Sequence, residues 1–230
     1  MSMQKSAAIL SVYLVSAIAI ALPGCKSSEP TSQQSGGSSP SGVVTINQMG
    51  GGIDVADAPH GASLATMGGD IHLGQVSSFA NLKTMGGNIT VDRANAPVEA
   101  TTMAGKITIT GATGSVHATT MTGDVWVRLS GSSASSGQNI ELTSSSGAIE
   151  LAVPKDFPMD VQVTLAYTKN AMRTYQIIDD MGLEHHSDID WDNTKVPPQR
   201  AIHAAGRVGN GSNHVTIRTV NGDVIIKQAI

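Results

Sequence analysis

The sequence predicts an all-β chain folded as a right-handed parallel β-solenoid (β-helix) with 18-residue coils and an irregular C-terminal insertion. Three observations carry this. Met49, Met67, Met85, Met103 and Met121 recur every 18 residues, and each opens a copy of one phrase, from Met49-Gly-Gly-Gly-Ile53-Asp-Val55 through Met85-Gly-Gly-Asn-Ile89-Thr-Val91 to Met121-Thr-Gly-Asp-Val125-Trp-Val127. A fixed period marks an array whose units are too small to bury an apolar face alone. Inside each phrase the apolar residues alternate, Ile71 and Leu73 around His72, Ile107 and Ile109 around Thr108, which is the pattern of a strand buried on one face. Finally, a glycine stands two residues after every one of these methionines, and the column continues beyond them: Gly51, Gly69, Gly87, Gly105, Gly123, Gly147 and Gly222.

Taken in chain order, residues 1–24 belong to no fold. Lys5 precedes an apolar run, Ala7 to Ala21, that closes on Leu22-Pro23-Gly24-Cys25, which reads as a secretory signal, too short and wrongly flanked for a spanning helix. Cys25 is the single cysteine of the chain, so an exported product has no disulfide framework. The close of the run resembles the bacterial lipoprotein signal, which implies lipid attachment at Cys25. By resemblance to sorting in diderm bacteria, Lys26 after the cysteine implies the outer membrane. Residues 25–42 are rich in Ser and Gly and read as a flexible, lipid-anchored linker; the 17 residues 26–42 span about 23 Å root-mean-square.

Regular coils are expected over 43–153. A second alternating segment precedes each methionine (Ala62 and Leu64, Ala80 and Leu82, Val98 and Ala100, Val116 and Ala118), so each unit carries two strands separated by a glycine bend. Stretches such as Ala94-Asn95-Ala96-Pro97 supply the other corner. Stacked one rung apart, at about 4.8 Å, Ile53, Ile71, Ile89, Ile107 and Val125 form one apolar column, and Val55, Leu73, Val91, Ile109 and Val127 another. The glycine column is expected either to need φ > 0 or to permit a close approach between rungs. Right-handed winding follows the crossover rule for parallel strands.

Gly147 falls 24 residues after Gly123, one repeat plus six, with the extra residues in the Ser-rich segment 131–137. There Gly137 is expected to tolerate alanine. Residues 154–212 lack the period but contain strand-like segments, Val161 to Leu165 and Met172 to Ile178. They read as degenerate coils plus an inserted hairpin or loop, a cap that blocks edge pairing. A last coil is expected over 213–230, around Thr219-Val-Asn-Gly222-Asp-Val224-Ile-Ile226.

The recurring Thr-x-x-Gly-Asp-Ile/Val-x-Val unit, the irregular middle, and the ending Gly206-Arg-Val-Gly-Asn-Gly211 with Val215-Thr-Ile-Arg-Thr-Val-Asn-Gly222-Asp-Val224 together resemble the bacterial adhesin-type family of domain of unknown function 4097, over about residues 43 to 230. The resemblance implies a right-handed β-solenoid of the cell envelope. It brings no catalytic residues to carry over.

Better-understood repeat classes fit poorly. A hexapeptide acyltransferase needs an aliphatic residue every six positions, but sixes from Ile71 fall on Ser77 and Lys83. A calcium ladder would need oxygen ligands along Gly52, Asp70, Asn88, Lys106 and Asp124, and a lysine interrupts it; Lys106 instead reads as an exposed partner of Asp124 one rung away. The partly buried methionines read as gap-fillers at a corner. His185, His186, Asp188, Asp190 and Asp192 crowd one segment, yet lack the spacing of a zinc site and read as a solvated loop. A glycan-processing β-helix would set acids and bases on one face, but the outward column is Asp54, His72, Thr90, Thr108, Trp126 and Glu150, mixed and mostly uncharged. With a formal charge of −4, no basic footprint for nucleic acid exists.

The chain is therefore expected to be a non-catalytic, lipid-anchored envelope solenoid, an adhesin or scaffold. No catalytic residue, metal or cofactor is assigned; its partners would be the membrane, through Cys25, and an envelope protein or surface glycan, with no nucleic acid. The alternative is a carbohydrate-active parallel β-helix enzyme, lyase or hydrolase, using Asp179, Asp180, Asp188 or Asp190 brought over a face by the insertion.

Overall fold

A computed structural model describes residues 36–38, 42–131, 137–171 and 173–229. All belong to one unit of the chain, Gln33–Ile230; Met1–Ser32 lies outside the described residues. The signal segment and Cys25 therefore also lie outside the described residues.

Of the segment read as linker, Gly36–Ser38 forms a strand, β1, antiparallel to the first strand of the first coil. That coil is β2 (Val44–Gln48) and β3 (Ile53–Ala58). The next are β4 (Ala62–Thr66) with β5 (Ile71–Val76), β6 (Ala80–Thr84) with β7 (Ile89–Ala94), β8 (Val98–Ala104) with β9 (Ile107–Ala112), β10 (Val116–Thr122) with β11 (Val125–Leu129), and β12 (Asn139–Ser144) with β13 (Ile149–Val153). Every coil gives one strand to each of two sheets, and the coils stack in parallel. Val116 pairs with Val98, 18 residues back, and with Ile140, 24 ahead, so six additional residues separate β11 from β12. Residues 132–136 of that connection lie outside the described residues.

The alternation read from sequence sorts inside from outside. Ile53, Ile71, Ile89, Ile107, Val125 and Ile149 are in register and buried, as are Val55, Leu73, Val91, Ile109, Val127 and Leu151. Facing them across a narrow interior are Leu64, Leu82, Ala100, Ala118 and Leu142. Full burial of one Ile or Leu stabilises by about 1.5–3 kcal/mol, and the rungs on both sides are needed to achieve it.

At the far end the order of the stack departs from the order of the sequence. The coil expected to end the array, β18 (Asn213–Val220) and β19 (Val224–Gln228), is the penultimate rung. β18 lies between β12 and β14 (Met159–Thr168), and β19 between β13 and β15 (Ile177–Asp179), all parallel. The chain thus lays down the terminal rung first and returns to fill the gap beneath it. Residues 213–226, with a coil on each side, retain the phrase, whereas the terminal rung does not. In it Leu165 replaces the repeat threonine opposite Thr219, and Asp179 occupies the inward aliphatic column beside Ile226. Among the described residues of the expected strand over 172–178, only Ile177 and Ile178 are strand, and that strand runs on to Asp179. Beyond β14 the first sheet continues antiparallel through β17 (Gln199–Val208) and β16 (Glu184–Ser187), covering the edge as a hairpin; His185 and His186 therefore belong to a strand rather than a loop.

The glycine corner is built by close approach. A Cβ on Gly87 would lie 2.0 Å from the Gly69 carbonyl oxygen, one on Gly105 2.0 Å from that of Gly87, and one on Gly222 1.8 Å from that of Gly147. Positive φ is not the general requirement, since Gly69, Gly87, Gly105 and Gly222 lack it, whereas Gly51 (φ 87°), Gly123 (148°) and Gly147 (156°) have it. Each of these carbonyls also accepts a hydroxyl from the next rung: Thr66 Oγ1 donates to Gly51 (3.1 Å), Thr84 to Gly69 (2.9 Å), Thr102 to Gly87 (3.0 Å), Thr120 to Gly105 (3.1 Å), Ser144 Oγ to Gly123 (2.9 Å) and Thr219 to Gly147 (2.6 Å). Those six hydroxyl residues are the buried polar ones of the corner, and a buried polar group must be bonded. Just beyond, the next backbone N–H is met by a side chain: Asn88 N donates to Asp70 Oδ1 (2.7 Å), Lys106 N to Asn88 Oδ1 (2.8 Å) and Ala148 N to Asp124 Oδ1 (2.9 Å). The Asp/Asn column is thus a ladder between rungs. No ion pair joins Lys106 to Asp124 among the described residues.

Candidate functional site

Three surfaces could act on something outside the chain. On the outer face of the second sheet, register places Asp54 beside His72 and Glu150 beside Trp126. His72 lies between two carboxylates, Nδ1 3.2 Å from Asp54 Oδ1 and Nε2 3.1 Å from Asp92 Oδ2. Only an imidazolium donates to both, so the bond to Asp92, and then that to Asp54, raises its pKa above the ordinary 6.5. Asp92 was not legible as a partner, because it sits 20 residues from His72 rather than 18, one strand over and displaced by two. Glu150 is pushed up by burial, but donation from Lys227 and Trp126 outweighs this and holds it below the carboxylate range.

The cap gathers most of the residues flagged as an acidic and imidazole cluster, without converging them. Asp179 is also desolvated, which alone would raise it; bonds from Leu183 N (3.0 Å), His185 Nε2 (2.7 Å) and Met181 N (3.0 Å) prevail and depress it. It thereby closes the turn after β15. Asp188 lies 3.6 Å from His203 Nε2. Asp192 is held low by the Thr194 hydroxyl and N–H. Asp190 is exposed in the following bend, and Asp180 uses its N–H on Ile226. Among the described residues no three His, Cys, Asp or Glu side chains are placed to hold a metal ion.

Also on the cap, Tyr167 and Trp191 meet edge to face, centroids 5.6 Å apart, and with Lys169 and Arg173 they line a cleft of about 450 Å3. Arg173 is paired with Asp223 at 2.8 Å and stacked over Tyr175. Neither aromatic was singled out in the sequence, since the period that makes the coils readable is lost there. The third surface is the exposed methionine edge of the glycine corner.

Across this architecture, the profile of the Toastrack family, DUF4097, matches residues 18–227. The chain belongs to the Toastrack family. No curated protein and no solved structure matches it. Within this Toastrack solenoid Glu150, Asp179 and Asp192 are all held below the ordinary carboxylate value by the bonds they accept.

The His72 bridge has a measurable signature. Because its folded pKa is raised, its contribution to stability is fully present below the unfolded imidazole value and fades as pH climbs through the folded one. His72→Gln in the Toastrack chain should therefore lower the unfolding temperature relative to wild type more at about pH 5.5 than at about pH 8.5. Equal differences at both would show that the bridge adds no stability of its own.

Proposed function

We propose that this Toastrack chain is a non-catalytic, lipid-anchored solenoid of the bacterial cell envelope, attached through Cys25 and serving as an adhesin or a scaffold, with its outer faces and cap available to an envelope protein or a surface glycan. The observation that carries the reading is Cys25 itself: the only cysteine, set at the close of an apolar run and ahead of a Ser/Gly-rich segment. In an exported chain without disulfides, a lone thiol at that position has one chemical use that the flanking sequence supports, acylation. An outer-membrane location accords with Lys26. No helix among the described residues is long and apolar enough to cross a membrane. For contact with a partner, the cap cleft offers aromatic faces beside cationic groups, a combination suited to an anionic saccharide.

Anchoring is tested directly. A diacylglyceryl thioether plus an N-acyl chain exceeds the two lipid signals needed for stable attachment, so the wild-type chain should partition with membranes and resist high salt, while Cys25→Ser should be released into the soluble fraction. A Ser variant that still sediments with membrane after a salt wash would defeat the lipoprotein reading.

A further inference from the structure

In the first five of the six regular coils, each residue that stays constant has a visible reason, with one exception. Glycine is kept at the corner because a Cβ would strike a carbonyl, threonine because its hydroxyl bonds that carbonyl, and the aliphatic columns because they are buried. Positions under no such demand have diverged: the residue after methionine runs Gly50, Gly68, Gly86, Ala104, Thr122, and the outward residue Asp54, His72, Thr90, Thr108, Trp126. Met49, Met67, Met85, Met103 and Met121 have not diverged in these coils, although they are 44–83% exposed, and the column ends where the later coils, which keep the glycine and the hydroxyl, carry Ser145 and Val220 instead. Burial does not hold them, and any aliphatic side chain would fill a gap equally well. What the column shares is the thioether.

The backbone keeps its register through these positions. Gly86 N donates to Met67 O at 3.1 Å and Ala104 N to Met85 O at 3.0 Å, while Thr120 and Thr122 pair with Thr102 and Ala104 on either side of Met121 and Met103. Successive methionines thus stand one rung, about 4.8 Å, apart. Two metal–sulfur bonds of the order of the zinc–thiolate bond, about 2.3 Å, laid end to end span nearly the same distance. Gly50 and Gly68 put no side chain in the way, and methionine's rotatable bonds permit the last adjustment. The first three thioethers also line one groove of about 340 Å3.

We propose that the methionine column binds a soft monovalent cation, Cu(I) or its analogue Ag(I), between the thioether sulfurs of successive rungs. Neutral sulfur ligands select such ions over the hard cations that carboxylates and carbonyls take. No electron transfer is involved, and the inference does not rest on lipid attachment.

The test uses the full chain carrying Cys25→Ser, which removes the one competing thiol, labelled at its methionine methyl groups and titrated with Ag(I). Saturable shifts are expected for the five corner methyls and not for that of buried Met159. Replacing all five by leucine, a substitution that conserves volume, should weaken Ag(I) binding by more than the roughly 10- to 100-fold that loss of an outer-shell partner costs a metal site, with the unfolding temperature unchanged. Undiminished Ag(I) binding in the leucine variant would place the ion elsewhere. Absence of saturable shifts in the methionine chain would leave the column as an apolar surface for some other molecule. Either result overturns the proposal.

Discussion

Ile107→Asp should abolish cooperative folding or cost several kcal/mol, whereas Thr108→Asp, one residue along the same strand, should stay within about 1 kcal/mol of wild type. Ile107 is wholly buried in β9, with Ile89 in the rung before and Val125 in the rung after. A carboxylate there has no partner and no route to water except by prising two rungs apart, and in a nearest-neighbour stack a broken central rung uncouples the coils on both sides of it. Thr108 is in register with Thr90 and Trp126 on the outer face and meets solvent. Thermal unfolding of the two variants decides the matter, and comparable losses would mean that inside and outside have been exchanged.

Gly87→Ala is expected to cost more than the about 1–3 kcal/mol typical of overpacking. The atom in the way, 2.0 Å from the new Cβ, is a backbone carbonyl oxygen that already accepts the Thr84 hydroxyl. No rotamer change relieves it; the rungs must separate. Gly137, expected from its Ser-rich surroundings to accept alanine, is unsuitable as the control, because its φ is 76°. Gly68 is the proper comparison. Nothing lies within 4 Å of a Cβ there, and the equivalent positions two and three rungs on are already Ala104 and Thr122, so Gly68→Ala should stay within about 0.5 kcal/mol. Equal unfolding midpoints for Gly87→Ala and Gly68→Ala would remove close approach as the reason for the column.

The parts of the molecule that the sequence made legible are those where one physical demand repeats. Period-two burial recurs in every coil, so the inward columns and the coil length could be read directly, and the glycine column announced the bend. What the period does not encode had to be seen. The threonines were visible in the repeated phrase, but their role depends on a carbonyl 15 residues earlier, a contact that exists only once the rungs are stacked. Asp92 reaches His72 by a diagonal offset that no column predicts. In the cap, the terminal rung does not keep the repeat, so nothing periodic marked Asp179 as the acceptor from Met181 N and Leu183 N that closes a turn. Tyr167 and Trp191 meet there with no periodic signal to mark them.

The penultimate position of β18 and β19 bears on how the molecule is made. Coils from β2 to β13 can stack in the order in which they emerge from ribosome or translocon, each resting on the one before. The hairpin cap cannot follow that order, since β14 and β15 acquire their parallel neighbours only when residues 213–228 arrive, after the whole cap has been synthesised. Until then, β13 presents an open edge and the cap is tethered to the stack by chain alone. The coil made after the cap is thus a keystone: its arrival locks the end of the array, and a chain cut before residue 213 would retain six stacked coils with an exposed edge, a template for joining other chains.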